Sequence, residues 1–401
     1  MLGLLMTTCQ GPLRAADDTV RYIEPSELDG SSAAVVVPDV PLWHTVQILP
    51  LDQVGKPVGE GLPAVQAADV FDKLGRMLRL DHNQQPQIVK LNVVAASDDV
   101  ANMVKTLLHV SFDGKTSMPA VTYVVGKLRH PQALVAMDAV AVAAEPDSHG
   151  KITKFVKTPQ FLSGPKSQSH LSLLPAGPKV YVSGQAEKGK DLAEMTRRTM
   201  ESLGATLKLL ELNWSDVVQI KSFIGPIAAV DEAEREIASF FKDSPHVPPL
   251  VFVEWTTEPS IEIELIASSK KGPRATGNTV EFITPPGMQA SAVFSRVARL
   301  AAGPTIYTSG LYGDSRANSE AEIREIFGHL GKLLDKTGSD FRHLAKATYY
   351  VSTNEASTKL GTIRPEFYDP QRPPAASKAP VTGTGRAGRT ITLDMIAVPA
   401  K

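Results

Sequence analysis

The feature that most restricts this chain is an internal period of slightly less than one third of its length. Three acids, Asp138, Glu264 and Asp394, recur at nearly one interval in β-like segments at 134–141, 260–267 and 390–397. Lys90, Gln219 and Lys346 stand in three further segments at almost the same interval. Tyr181-Val182-Ser183-Gly184 returns one period later as Tyr307-Thr308-Ser309-Gly310, and a short Pro-containing mark precedes each closing segment. Self-similarity at a fixed interval marks one supersecondary unit used several times, so the 401 residues divide into three similar units.

Each unit runs through the same order of periodicities. A β-like run opens it, at 34–37 with 45–48 beside it, at 179–182, and at 305–308. A helical stripe follows: Val65, Ala68, Phe71, Leu74 and Leu78, then Leu192, Met195, Leu203, Leu207 and Leu210, then Ile323, Phe327, Leu330 and Leu334. Apolar residues three and four apart share one helix face, which needs a sheet or a second helix to cover it. After the strand through Lys90, Gln219 or Lys346 comes another helix, clearest at Val100, Met103, Val104, Leu107 and Leu108 and across 231–241. Two strands close each unit. The expected class is α+β, with helices against one face of a mixed sheet, over 34–144, 158–270 and 288–400. Polar, turn-rich stretches at 145–151 and 268–274 separate the units.

Composition excludes more than it selects. With 42 Lys plus Arg against 43 Asp plus Glu, nothing asks for a nucleic-acid partner, whose phosphates need a basic face. Cys9 is the only cysteine, and the nine histidines lack metal-ligand spacing, so neither an internal disulfide nor a metal centre is expected. The glycine-rich stretch 383–388 lacks a Gly-Lys-Ser/Thr ending and leads into a strand, which argues against a nucleotide, and no cofactor is expected. No apolar run reaches the length of about 18 residues that a membrane span needs. Residues 1–33 read as a leader in which 1–16 fit a signal remnant. Export is then slightly favoured over a cytoplasmic location, and Cys9 is a poor lipidation match.

The pattern, with Gly177-Pro178-Lys179-Val180-Tyr181-Val182-Ser183-Gly184-Gln185 in the second unit, resembles the RidA family, also called YjgF or endoribonuclease L-PSP. The resemblance implies chorismate-mutase-like units of a mixed sheet and two helices, which family members assemble as homotrimers with clefts between subunits. Three tandem copies in one chain would make an intramolecular pseudo-trimer, monomeric as a polypeptide. The resemblance also implies hydrolysis of enamines and imines of 2-amino acids. There an Arg grips the substrate carboxylate with its planar fork, and a carboxylate or bound water moves the proton. The positions matching that Arg are Val121, Leu250 and Ala376, none of which can partner a carboxylate. The family's first closing-strand acid matches Glu262, but Ala136 and Thr392 in the other units. Its N-terminal aromatic matches Lys166 and Phe294.

Candidate replacements are Glu262, Asp394 and Arg296 for catalysis and Arg386, Arg389 and Lys378 for ligand binding. Glu262 and Glu264, with Glu254 nearby, read most simply as an exposed strand face. Tyr349, Tyr350, Phe252 and Trp255 read as packing. Losing the Arg three times favours a binding or scaffold protein, taking a small organic acid or imine in clefts without convergent charges. A hydrolase or deaminase with a non-standard cleft is the alternative, and requires Arg296, Arg386 or Arg389 in one pocket with Glu262 or Asp394. Endoribonuclease activity is weaker, since the chain has no basic field and no paired histidines.

Overall fold

The computed structural model describes residues 19–400, apart from 27, 80–85, 113–114, 116, 144–154, 157–167, 245, 258–259 and 316–317. The leader 1–16, Cys9, the stretch 145–151 and Lys166 lie outside the described residues. In chain order, a hairpin of β1 (Arg21–Ser26) and β2 (Ser31–Val37) precedes β3 (Leu42–Thr45), α1 (Pro63–Leu78), β4 (Ile88–Ala95), α2 (Asp98–Phe112), β5 (Ala120–Val125) and β6 (Val135–Val142). Next come β7 (Phe155–Val156), β8 (Leu171–Leu174), β9 (Lys179–Gln185), α3 (Leu192–Leu209), β10 (Val217–Ile224), α4 (Val230–Ser239), β11 (Leu250–Glu254) and β12 (Ile261–Ser268). The last set is β13 (Val280–Ile283), β14 (Val297–Leu300), β15 (Thr305–Thr308), α5 (Ser319–Thr337), β16 (Leu344–Val351), α6 (Asn354–Ile363), β17 (Ala375–Pro380) and β18 (Ile391–Ala397).

These strands form three six-stranded mixed sheets of one topology: β5-β4-β6-β3-β8-β7, β11-β10-β12-β9-β14-β13 and β17-β16-β18-β15-β2-β1. In each, one parallel pair (β4·β5, β10·β11, β16·β17) sits beside antiparallel neighbours. The hairpins do not join the strands that follow them. β8 pairs with β3, β14 with β9, and β2 with β15. Each two-stranded lead-in completes the sheet before it, and the first completes the last, which closes the chain into a ring. The 34–37 run, expected to open the first unit, therefore pairs in the third sheet, Thr305 opposite Val37. Parallel strands in one sheet need a helical crossover, and α2, α4 and α6 supply it.

Two helices cover one face of each sheet, and local signals set their ends. Asn318 caps α5 by accepting from the Ala321 amide, and Gly338 ends it at φ +78°, a left-handed position that suits glycine. The third-unit stripe is buried as read, with Ile323, Phe327 and Leu330 at 0% exposure. On α1 the face is turned: Ala67, Val70, Leu74 and Met77 point inward, whereas Val65 is 45% exposed. Ala67 and Met77 continue the same three-and-four spacing as the stripe through Val65 and Ala68, so periodicity alone could not separate the two phases.

The opposite faces of the three sheets turn toward one another. Val94, Phe223 and Tyr350 hold equivalent positions in β4, β10 and β16 and pack with Val124, Val253 and Ala379 in one apolar cluster drawn from all three sheets. Phe223 meets Tyr350 edge-on at 6.3 Å. Each buried side chain of this size contributes about 1.5–3 kcal/mol. Strand register also fixes which residues correspond: Asn92 opposes Asp138, Lys221 opposes Glu264, and Thr348 opposes Asp394.

Candidate functional site

Further along these strands from Val94, Phe223 and Tyr350, alternation brings Asn92, Lys221 and Thr348, and then Lys90, Gln219 and Lys346, to the same inward face. Lys90, Lys221, Lys346, Asp138, Glu264 and Asp394 line one small cavity of about 60 Å³ where the three sheets meet. The ion pairs cross between units: Lys90 Nζ lies 3.2 Å from Asp394 Oδ2, and Lys346 Nζ 2.8 Å from Glu264 Oε2. Gln219 takes the third equivalent place and donates instead to the Thr45 carbonyl at 2.9 Å. Asp138 is thus left with Asn92, whose Nδ2 donates to it at 2.8 Å, and burial pushes its pKa up to about 6. Asp394 is buried too, yet Lys90, Lys221 and Lys346 outweigh that and hold it below the ordinary value. Lys221 donates to the Tyr350 hydroxyl at 2.5 Å, and the surrounding negative groups raise its pKa despite burial. Asp394, considered from sequence as a catalytic acid, belongs to this lattice, and so does Glu264, which is 3% exposed and not on an open strand face.

Away from this axis, one unit approaches the next at three corresponding places. The Gly310 amide donates to the Val121 carbonyl at 3.0 Å, the Gln47 amide to the Leu250 carbonyl at 3.2 Å, and the Gly184 amide to Ser377 Oγ at 3.0 Å. Val121, Leu250 and Ala376 oppose Leu91, Ile220 and Ala347 in equivalent registers, so each of these three positions, which the resemblance matches to the family's Arg, stands at one such junction.

The junction of β9 with β17 is open, with a volume of about 440 Å³. Gly184, Glu262, Phe294, Arg296, Arg364, Ala376, Ser377 and Lys378 are among its lining residues. A Cβ built on Gly184 would fall 1.9 Å from Glu262 Oε1, so only glycine leaves the carboxylate its place. Glu262 Oε1 is buried without a hydrogen-bond partner, and burial, reinforced by the neighbouring Glu264 carboxylate, pushes its pKa up to about 7. Burial lowers the pKa of Lys378, Arg364 lowers it further, and Glu262 acts the other way. Arg296 lies over the Phe294 ring at 5.0 Å and Arg364 over the Tyr349 ring at 5.3 Å. Of the residues singled out from sequence, Glu262, Arg296, Lys378 and Ala376 are brought together here. Arg364 was not foreseen, because it enters from the 3₁₀ turn after α6 and no spacing links it to β17.

The other two junctions differ. Between β15 and β5 a cavity of about 220 Å³ is lined by Val121, Lys105, Tyr123, Tyr312 and Arg386, with Arg386 over the Tyr312 ring at 5.2 Å. Arg389 is not part of it: its guanidinium donates to the carbonyls of Ser315 and, at 2.8 Å, Asp314, tying down a loop. Between β3 and β11, where the junction keeps a smaller cavity of about 130 Å³, Gln47 stands where the others carry glycine. Its Nε2 donates to the Phe252 carbonyl at 2.9 Å, and Arg129 beside it is held by Asp231 and Glu234. Phe252, Trp255, Tyr349 and Tyr350 are all buried. Glu254 sits apart, accepting from the Lys127 amide at 2.8 Å. Among the described residues no cluster of His, Cys, Asp and Glu could hold a metal ion, and no helix is long and apolar enough to cross a membrane.

The family model for endoribonuclease L-PSP matches residues 166–269, about a quarter of the chain, and supports a distant relationship at the level of the fold. Similar solved structures include a YjgF-family member from Neisseria meningitidis, 16% identical, covering 30% of this chain and 96% of its own, with a TM-score of 0.24. A YjgF/YER057c/UK114-family member from Mycobacterium tuberculosis is 18% identical, covering 30% and 98%, with a TM-score of 0.22. A Rid-family protein of unknown function from Yersinia pestis is 20% identical, covering 31% and 98%, with a TM-score of 0.27. No curated protein matches the chain.

Proposed function

We propose that this chain is a RidA-like protein whose three units, over 34–144, 158–270 and 288–400, form an intramolecular pseudo-trimer, and that the cleft between β9 and β17 binds a small organic acid. The observation that carries this reading is the convergence of Arg296, Arg364 and Lys378 on one cleft with Glu262, beside Ala376. Where β17 offers only a methyl group, cations from other elements supply the charge that a carboxylate requires. The cyclic contacts Gly310–Val121, Gln47–Leu250 and Gly184–Ser377 support the pseudo-trimer. A scaffold role in clefts without convergent charge fits the Gln47 junction but not this one.

A second reading, imine or enamine hydrolysis, is favoured by Glu262 alone. A carboxyl that titrates at about 7 can take a proton from water as the water oxygen bonds to the imine carbon. It then returns the proton to nitrogen to give the carbinolamine; the carboxylate next carries the hydroxyl proton to the same nitrogen as the C–N bond breaks and the C=O forms, and ammonia leaves with the 2-keto acid behind. The test follows ammonia and keto-acid release from freshly generated 2-iminobutyrate, beside calorimetric titration with small carboxylates. Binding with turnover that Glu262→Gln abolishes supports both readings; binding without turnover leaves the first alone. Background hydrolysis with no carboxylate bound overturns both.

A further inference from the structure

We infer that the acid taken by this cleft is a short dicarboxylate, gripped at its two ends by Arg296 and Arg364; the inference rests on reading the cleft as an organic-acid site. Two forked cations are more than one carboxylate needs. Each is prepared in the same way. Arg296 is laid on Phe294 and Arg364 on Tyr349, and Tyr349 is itself fully buried and hydrogen-bonded to Tyr368. A guanidinium held beside a ring has lost rotational freedom in advance, so less is lost when it grips a planar anion.

In both residues the Nε is buried and has no hydrogen-bond partner among the described residues. Neither forms an ion pair among the described residues, whereas Arg129 and Arg324 are each held by two acids. A guanidinium beside an open cleft without an acid partner favours an anion that supplies one. A monocarboxylate partners one fork and leaves the other. A dicarboxylate partners both, which converts two cations without acid partners into a preference for chain length and charge. Lys378, beside Arg364 and balanced against Glu262, adds positive potential without adding a third fork. A cleft of about 440 Å³ has room for a four- or five-carbon chain lying between the two arginines.

The test is calorimetric titration of the full chain at neutral pH with succinate, glutarate, butyrate and inorganic phosphate. Dicarboxylates are expected to bind at least about tenfold more tightly than butyrate, the ratio that one additional charge-assisted contact provides. Arg296→Gln and Arg364→Gln are each expected to weaken succinate more than butyrate, with unfolding midpoints near that of the parent protein. Equal affinity for butyrate and succinate overturns the dicarboxylate while leaving the organic-acid cleft intact. So does phosphate binding as tightly as succinate, since one compact anion would then satisfy both forks. Binding of none of the four removes the dicarboxylate and the reading of the cleft together.

Discussion

The β9–β17 and β3–β11 junctions occupy equivalent places in one chain and have become opposites. Gly184 in the first corresponds to Gln47 in the second, Glu262 to Ala136, and Lys378 to Phe252. One junction keeps a carboxylate and gathers cations around an open volume of about 440 Å³; the other folds a glutamine amide onto the Phe252 backbone and keeps only about 130 Å³. In a symmetric homotrimer a substitution is imposed on every cleft at once, whereas a single polypeptide frees each to change alone. The axis has less freedom. Its ion pairs link different units, so changing one residue leaves a partner buried in another.

That contrast can be broken most severely at the axis. Lys346→Met strands Glu264 without its cation and is expected to cost roughly 3–5 kcal/mol, read from urea denaturation. Gln219→Met, at the equivalent place in the neighbouring unit, removes a neutral donor from the buried Thr45 carbonyl and should cost about 1–3 kcal/mol. Equal losses would mean that the lattice is not organised by charge.

Smaller effects are expected at the junctions. Gln47→Ala removes the part-buried donor to the Phe252 carbonyl and should cost about 0.5–1.5 kcal/mol of stability without affecting carboxylate binding. Gly184→Ala should do the reverse, since a methyl group there displaces the Glu262 carboxylate, and calorimetry should record weakened carboxylate binding. If the two variants behave alike, the junctions have not diverged in function.

The gentlest test is pH. Asp138 titrates at about 6 in the folded protein against an ordinary 3.8, so the native state keeps its proton where the unfolded chain has released it. This contribution is fully present below the unfolded value, falls away as pH rises to about 6, and is flat above. Asp138→Asn should flatten that part of the profile of melting temperature against pH. Glu262→Gln should act in the same direction over a higher window, ending at about 7.

Much of this was legible beforehand. The recurrences of Asp138, Glu264 and Asp394, and of Lys90 and Lys346, were visible as spacing, and they turned out to be the two halves of one buried lattice. Their partnership was not visible, because Lys90 belongs to the first unit and the Asp394 it meets to the last. Glu262 and Arg296 could be nominated individually, and a strand's alternation placed Lys378 on the side of the missing Arg. Arg364 could not be nominated. It reaches the cleft because α6 crosses over and ends against Tyr349, a relation that depends on how the helix packs and not on any period.

By itself the sequence determined the α+β class, the recurrence of one strand-and-helix pattern and the absence of an Arg at positions 121, 250 and 376, because periodicity and residue identity are local properties of the chain. Only the tertiary structure decided that each hairpin completes a neighbouring sheet, that the acids and lysines neutralise one another across unit boundaries, and that one junction is wide and charged while another is narrowed by a glutamine. Strand pairing and burial depend on which distant segments meet, and local patterns leave several such meetings open until packing selects among them.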